Sequence, residues 1–169
     1  MWRRSSERVH RPPPRAADWR SYDSVADEYA RVRAPVHEGP VRDLVALVGP
    51  PAGARVLDVG TGTGLGAHAA AELVGPDGVV VGLDPSMGML EVARRNGLDR
   101  VVAAQALDLP FRDGTFDAVL AAFVVLFFRS YETGLHEMVR ILRRGGRMGV
   151  TTWGRSDDEF RRAWRAVAE

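Results

Sequence analysis

The chain has 169 residues, which fits one domain with a conventional core and leaves no room for a second. It contains no cysteine, so disulfides and thiolate metal sites are excluded, and we expect a cytoplasmic protein. The formal net charge is +1, and all 23 basic residues are arginine, which excludes Schiff-base or lysine-base chemistry. No run of 18 apolar residues is present, so we expect no membrane-spanning helix and no membrane partner.

The first 20 residues are strongly basic, with six arginines around Pro12–Pro14. High charge and low apolar content predict a disordered arm over residues 1–17, followed by one domain over residues 18–169. Arginine also contacts phosphate well, so nucleic-acid binding by the arm is an alternative, although we expect a solvated arm rather than a nucleic-acid site. A targeting peptide is not indicated, since the arm has neither an amphipathic helix nor an apolar segment.

Apolar residues at helical spacing predict one amphipathic helix over residues 18–33 and a second over residues 38–48, which ends at the breaker Gly49-Pro50-Pro51. Strands and helices then alternate. Strands are predicted at residues 55–59, 79–84, 100–104, 116–125 and 147–153. Helices are predicted at residues 66–74, 86–96 and 131–142.

The predicted strands are nearly continuous in apolar residues, as expected when helices cover both faces of a parallel sheet. The fold class is therefore α/β, a doubly wound and mostly parallel sheet of about five strands with helices on both faces. Ligands of such sheets lie at the carboxyl ends of the strands, where the strand order reverses. Asp58, Asp84 and the segment after Ala104 fall at this edge.

The most informative segment is V-L-D-V-G-T-G-T-G, from Val56 to Gly64. A strand ends there in Asp58 and a glycine turn follows, which brings backbone N–H groups and a helix N-terminus towards a ligand. Phosphate, carboxylate and ribose oxygens suit such a turn equally well. Asp84 follows 22 residues after Gly62, the position from which a carboxylate accepts hydrogen bonds from ribose hydroxyls, although capping of the next helix is an alternative role.

Four blocks in this order resemble the class I, Rossmann-like S-adenosylmethionine-dependent methyltransferases, in particular the branch that modifies quinone precursors and other small molecules. The blocks are V-L-D-V-G-T-G-T-G (56–64), V-G-L-D-P-S-M-G-M-L (81–90), A-L-D-L-P-F-R-D-G-T-F-D (106–117) and H-E-M-V-R-I-L-R-R-G-G-R-M (136–148). The resemblance implies S-adenosylmethionine as cofactor, no metal, and methyl transfer to a small-molecule acceptor.

The resemblance also assigns roles to individual residues. Gly60, Gly62 and Gly64 would pass close to the methionine part of the cofactor, with Asp58 orienting its amino group. Asp84 would hold the ribose, and Phe123 would face the sulfonium. Further cofactor-binding residues are expected in the two segments that would surround the ribose and adenine, namely Pro85, Ser86, Met87, Gln105, Ala106 and Leu107.

Two positions depart from the family pattern. Gln105 stands where an aspartate usually accepts a hydrogen bond from the adenine amino group, and an uncharged amide accepts that bond more weakly. Arg144 replaces the proline that usually precedes the Gly-Gly turn, a change that we treat as neutral.

No histidine is an obvious general base. His37 lies in the N-terminal segment that in this family folds over the cofactor, so it is the weak candidate for a catalytic residue. Tyr22 and Tyr29 are candidates to line the acceptor site, where aromatic faces favour a cation, although both residues could instead form the core face of their helix.

The resemblance further implies a closing pair of C-terminal strands, which this sequence lacks. Strand 147–153 would then lie at an open sheet edge, and we expect a C-terminal helix with Phe160 and Trp164, a second copy or another protein to cover it. A non-catalytic cofactor-binding or partner subunit is therefore the alternative function. A third hypothesis is a nicotinamide-dependent oxidoreductase, because Gly62, Gly64 and Ala67 also satisfy G-x-G-x-x-A.

Overall fold

A computed structural model gives the fold for residues 19–152 and 166–167. Five parallel strands form one sheet in the order β3-β2-β1-β4-β5. The strands are β1 (Arg55–Val59), β2 (Val79–Asp84), β3 (Val101–Ala103), β4 (Phe116–Ala122) and β5 (Leu142–Thr151). The chain runs outward from β1 to β3 and then returns to the other side of β1, so the order reverses between β1 and β4.

Within residues 19–152, five α-helices and two short 3₁₀ helices precede, connect or flank the strands. The α-helices are α1 (Ala26–Val32), α2 (Ala34–Val48), α3 (Leu65–Val74), α4 (Met87–Arg95) and α5 (Tyr131–Arg140), and the 3₁₀ helices are Trp19–Tyr22 and Val125–Phe127. Ser86 and Ser130 cap α4 and α5, each accepting a hydrogen bond from a backbone N–H of the first turn.

Two hydrophobic cores lie on the two faces of the sheet. On one face, α2, α3 and α4 contribute Leu44, Val45, Ala70, Val74 and Ala93 to a core with alternate residues of the central strands. On the other face, α5 packs Leu135 and Met138 against the opposite side of the same strands. The predicted α/β fold with helices on both faces is thus confirmed.

The N-terminal region differs from the prediction of two plain helices. The first predicted helix is split into the 3₁₀ turn and α1, and a turn around Asp23 separates them. The second begins at Ala34 rather than Glu38, because Pro35 is well tolerated in the first turn of a helix, and it continues through Pro40.

Strands β4 and β5 also differ from their predicted bounds. β4 ends at Ala122 because Phe123 leaves the extended conformation, and β5 begins at Leu142, before the irregularity that interrupts its register with β4.

Residues 1–17, Trp153, Phe160 and Trp164 lie outside the described residues. The predicted partner at the β5 edge stays a prediction. Across residues 19–152 and 166–167, no helix is long and apolar enough to cross a membrane.

Candidate functional site

A cleft opens where the strand order reverses, between the carboxyl ends of β1 and β4, and it holds about 850 Å³ of empty space that is in part open to solvent. Its walls come from the turn after β1, the end of β2, the segment after β4 and the N-terminal helices. The position is the one expected for the ligand of an open parallel sheet.

The glycine turn forms the floor of the cleft, and two of its glycines are required for different reasons. Gly60 has a φ of 71°, and a Cβ at this position would lie 2.3 Å from Cγ2 of Val124. Gly62 has a φ of 53°, but a Cβ there would meet no protein atom within 4 Å. Gly60 is therefore needed for packing against the segment after β4, while Gly62 leaves open space beside the cleft.

Asp58 lies buried at the base of the cleft, with 2% of its surface exposed. Its Oδ2 accepts a hydrogen bond of 2.7 Å from the hydroxyl of Thr61, and its carboxylate also accepts one from the backbone N–H of Ala67. Burial raises the pKa of Asp58 to about 7, against the lowering effect of these two donors. The carboxyl group is thus poised between its neutral and charged forms near neutral pH.

Asp84 is the second acid of the cleft and ends β2. Its Oδ2 accepts a hydrogen bond of 2.9 Å from the backbone N–H of Gly62, and its Oδ1 accepts one of 2.9 Å from the N–H of Ser86. Burial raises the pKa of Asp84, partly offset by these two donors. Two buried carboxyl groups in one cleft favour a ligand that carries positive charge or donates hydrogen bonds.

An aromatic wall of five rings lines the same cleft as these acids. Tyr22 packs edge-on against Tyr29, with ring centroids 5.8 Å apart, and against Phe127, with centroids 5.9 Å apart. His37 stacks on Tyr29 at 6.1 Å and meets Phe123 edge-on at 4.8 Å. All five line the cleft, so Tyr22 and Tyr29 are at the site and not only in the core. Burial raises the pKa of both tyrosines, which keeps their phenols neutral.

His37 is held in a defined orientation in the first turn of α2. Its Nδ1 lies 2.8 Å from the carbonyl oxygen of Arg33. A carbonyl can only accept, so Nδ1 carries the proton of this bond, and in the neutral ring Nε2 is the basic nitrogen. Among the described residues, His37 is the histidine that lines the cleft.

Phe123 departs from ordinary backbone geometry. Its φ is 56°, which makes it the non-glycine residue with positive φ in the described part of the chain. Bulky residues rarely adopt this region, and such strain concentrates at functional sites. The backbone N–H of Phe123 donates to the carbonyl of Thr151 over 2.9 Å, so the neighbouring strand helps to hold the strained turn.

Most of the remaining predicted cofactor residues lie beside the cleft rather than along its wall. Pro85 lines it, whereas Ser86 is buried behind it, and Met87 has 48% of its surface exposed. Gln105 is exposed and Ala106 and Leu107 are half-buried, all just beyond β3, whose Ala103 pairs with Asp84. The topology thus brings this adenine-side group to the same edge of the sheet, and its roles stay predictions.

Two further residues that line the cleft, Thr61 and Phe127, and Asp23 beside it were not singled out by sequence reasoning. Thr61 bonds to Asp58, Phe127 completes the aromatic wall, and Asp23 caps α4 across 63 residues of sequence. A hydroxyl three residues after Asp58 was a usable signal for Thr61. The role of Asp23 depends on tertiary contacts that no local pattern predicts.

Comparisons with known proteins agree with this geometry. The Methyltransferase domain family matches residues 57–150, more than half of the chain. The demethylmenaquinone methyltransferase of Anoxybacillus flavithermus is 33% identical over 158 residues, which cover 88% of this chain and 63% of that protein. The ubiquinone/menaquinone biosynthesis C-methyltransferase of Hahella chejuensis is 38% identical over 140 residues, covering 76% of this chain and 56% of that protein. The chain thus spans less than two thirds of the length of these relatives.

A solved structure gives the same result at the level of the fold. The S-adenosylmethionine-dependent methyltransferase of Thermotoga maritima superposes with a TM-score of 0.68 at 28% identity, covering 87% of this chain and 67% of that one. These similarities favour the methyltransferase hypothesis over the nicotinamide-dependent alternative. The chain belongs to the Rossmann-like S-adenosylmethionine-dependent methyltransferases.

Proposed function

We propose that this chain binds S-adenosylmethionine in the cleft and catalyses methyl transfer to a small aromatic acceptor of the quinone-precursor type. The observation that carries the proposal is one cleft lined both by two buried acids and by five aromatic rings. When bound, the cofactor supplies an electrophilic methyl group on a sulfonium centre. The chain itself has to bind and orient the cofactor and the acceptor, and to exclude water from the cleft.

The residues of the cleft fit the cofactor. Asp58 is placed to accept from an ammonium group, and Asp84, fixed by two backbone donors, is placed to accept from a ribose diol. Gly62 leaves space for a ligand to approach the backbone. We assign Gly60, Gly62 and Gly64 to the methionine side, Pro85 and Ser86 to the ribose side, and Met87, Gln105, Ala106 and Leu107 to the adenine side.

The aromatic wall suits a flat acceptor. Phe123 and Tyr29 flank His37, and Tyr22 and Phe127 extend the same surface. A dihydroxyaromatic ring would stack here while a hydroxyl faces a base. We assign that base to Nε2 of His37, whose proton uptake would make the acceptor ring more nucleophilic. The two named relatives, which act in quinone biosynthesis by their descriptions, support this acceptor class.

Two measurements test the proposal on the wild-type chain. Isothermal titration with S-adenosylhomocysteine should give saturable binding, and a radiolabelled transfer assay with a reduced short-chain naphthoquinone should label the organic phase. Absence of binding would contradict the whole proposal. Binding without transfer to any quinol or small-molecule extract would favour the non-catalytic cofactor-binding subunit. The absence of cysteine supports a cytoplasmic location for this activity.

A further inference from the structure

Asp23 connects the N-terminal segment to the cofactor side of the cleft. It lies in the turn between the first 3₁₀ helix and α1, yet its Oδ1 accepts a hydrogen bond of 2.7 Å from the hydroxyl of Ser86 and one of 3.0 Å from the backbone N–H of Gly88. These donors lie at the N-terminus of α4, more than 60 residues further along the chain. Asp23 therefore caps a helix to which it does not belong.

The contact between Asp23 and Ser86 continues to Asp84, the acid that is proposed to bind the ribose. Ser86 donates its hydroxyl to Oδ1 of Asp23 and its backbone N–H to Oδ1 of Asp84, the latter over 2.9 Å. Asp84 in turn accepts the N–H of Gly62. One continuous series of hydrogen bonds thus runs from the N-terminal segment through Ser86 and Asp84 to the glycine turn.

Charge and shape both support this contact. The pKa of Asp23 is lowered, chiefly by the N–H of Gly88 and then by the Ser86 hydroxyl, so the carboxylate form is favoured although the residue is exposed. A Cβ on Gly88 would lie 2.5 Å from the backbone oxygen of Asp23. Glycine at position 88 therefore permits the close approach on which the two hydrogen bonds depend.

The same segment builds the acceptor side of the cleft. Tyr22 precedes Asp23 directly, and Tyr29 follows on α1, whose Ala26 packs into a small core with Met89 and Val92 of α4. Asp27 adds an ion pair with Arg95 further along α4. Asp27 fastens the segment to the same helix, but only Asp23 reaches Ser86.

We infer that Asp23 is a positioning residue, which acts through Ser86 to hold Asp84 in its ribose-binding orientation and so joins this acid to the segment that carries Tyr22 and Tyr29. The inference rests on the proposed function. It assigns to an N-terminal carboxylate a role in cofactor recognition that a simple fastening of α1 to α4 would not provide.

The test compares two ligands and several variants. The ligands are S-adenosylhomocysteine and its 2′,3′-dideoxy analogue, which lacks the ribose diol. The wild-type chain should prefer the natural ligand about tenfold or more, because the diol donates to a charged acceptor. In Asp23→Ala this preference should fall about fivefold, the value of one hydrogen bond. Gly88→Ala should give the same result while keeping the carboxylate and a favourable helix residue.

Asp27→Ala is the matched control, since it breaks a contact of the same segment with the same helix without touching Ser86. Its ligand preference should equal that of the wild type, and Asp23→Asn, which keeps an acceptor oxygen, should recover part of it. Equal preference in Asp23→Ala and wild type would overturn the inference, as would an equal loss in Asp27→Ala. No binding by the wild type would instead contradict the proposed function itself, and the inference with it.

Discussion

The backbone N–H of Gly62 donates a hydrogen bond of 2.9 Å to Oδ2 of Asp84. This bond joins the turn after β1 to the acid at the end of β2, on neighbouring strands of the sheet. The turn and the acid are therefore oriented together within the protein itself, and a ligand meets both as one preformed surface.

Alanine substitutions in the glycine turn should separate stability from binding. Gly60→Ala places a Cβ against Val124 at positive φ, so the free energy of unfolding should fall by about 2 kcal/mol or more. Gly62→Ala meets no protein atom, so it should cost only about 1 kcal/mol of stability but weaken S-adenosylhomocysteine binding roughly tenfold or more. Urea unfolding and titration calorimetry measure the two effects. Wild-type affinity in Gly62→Ala would contradict the assigned role of the turn.

The affinity for S-adenosylmethionine should rise with pH. Asp58 has a pKa of about 7 in the ligand-free protein, and only its charged form attracts an ammonium group. Between pH 6 and pH 8 the association constant should increase about tenfold, and Asp58→Asn should flatten this dependence while lowering affinity at pH 8. Asp77→Asn is the control, because Asp77 is exposed just before β2, at the amino ends of the strands and away from the cleft. A pH-independent affinity in the wild type would exclude Asp58 as the charged partner.

The same carboxyl group should make the ligand-free protein less stable at high pH. Because folding raises the pKa of Asp58, the folded state holds its proton more tightly, and stability is lost as the pH rises from the unfolded value, near 4, through about 7. Asp58→Asn should therefore have a higher Tm than the wild type at pH 8, by roughly 4 °C or more, with a smaller difference at pH 5. Thermal unfolding at both pH values measures this, and a difference independent of pH would refute it.

The positive φ of Phe123 should reverse the usual order of alanine and glycine. Both substitutions remove the ring, but glycine also relieves the backbone strain, so Phe123→Gly should be more stable than Phe123→Ala by about 1 kcal/mol. Phe128, with a φ of −72°, is the matched site, and there alanine should be the more stable by about 0.5–1 kcal/mol. Urea unfolding compares the four variants. The same order at both sites would mean that the turn at Phe123 is not strained.

His37→Ala should lower the rate of methyl transfer roughly 100-fold or more, while S-adenosylhomocysteine affinity changes less than about twofold. Added imidazole should restore part of the rate, which loss of a purely structural residue would not permit. His136→Ala is the control, because His136 makes the same type of bond, 3.0 Å from Nδ1 to the carbonyl of Glu132, on an exposed face of α5. Unchanged transfer in His37→Ala would assign the proton transfer to another group or to solvent.

The central strands could be read from the sequence because local signals agree there. β1 and β2 have their predicted bounds, since each is a short apolar run enclosed by glycine, proline or aspartate. The apolar run after Phe116 continues through Phe128, and periodicity does not mark the point at which Phe123 turns. The end of β4 is set by contacts with Gly60 and Thr151, which belong to other strands and turns.

The residues of the site also divide into those that local sequence signals predict and those that depend on tertiary contacts. Asp58, Asp84, Gly60 and Gly62 follow from their places at or after strand ends and line one cleft, while their roles toward the cofactor stay predictions. The link through Asp23 could not be predicted, because it depends on tertiary packing of the N-terminal segment against α4, where Gly88 approaches the backbone of Asp23 and Ala26 packs with Met89 and Val92. His37 was a weak candidate from sequence. The Arg33 carbonyl binds Nδ1 and fixes the ring, so that Nε2 is the nitrogen left to accept a proton.

The interrupted register between β4 and β5 has a consequence for how this domain tolerates changes in chain length. Phe116 pairs with Leu142 and Ala118 with Arg147, so the extra residues of β5 are accommodated around Gly145 and Gly146, before the regular pairing that ends at Ala122 and Thr151. An insertion or deletion in that glycine pair can be absorbed locally. A change of one residue after Arg147 would instead shift Thr151 relative to Phe123 and displace the aromatic wall. Natural variation in length should therefore accumulate at the amino end of β5 and be absent from its carboxyl end.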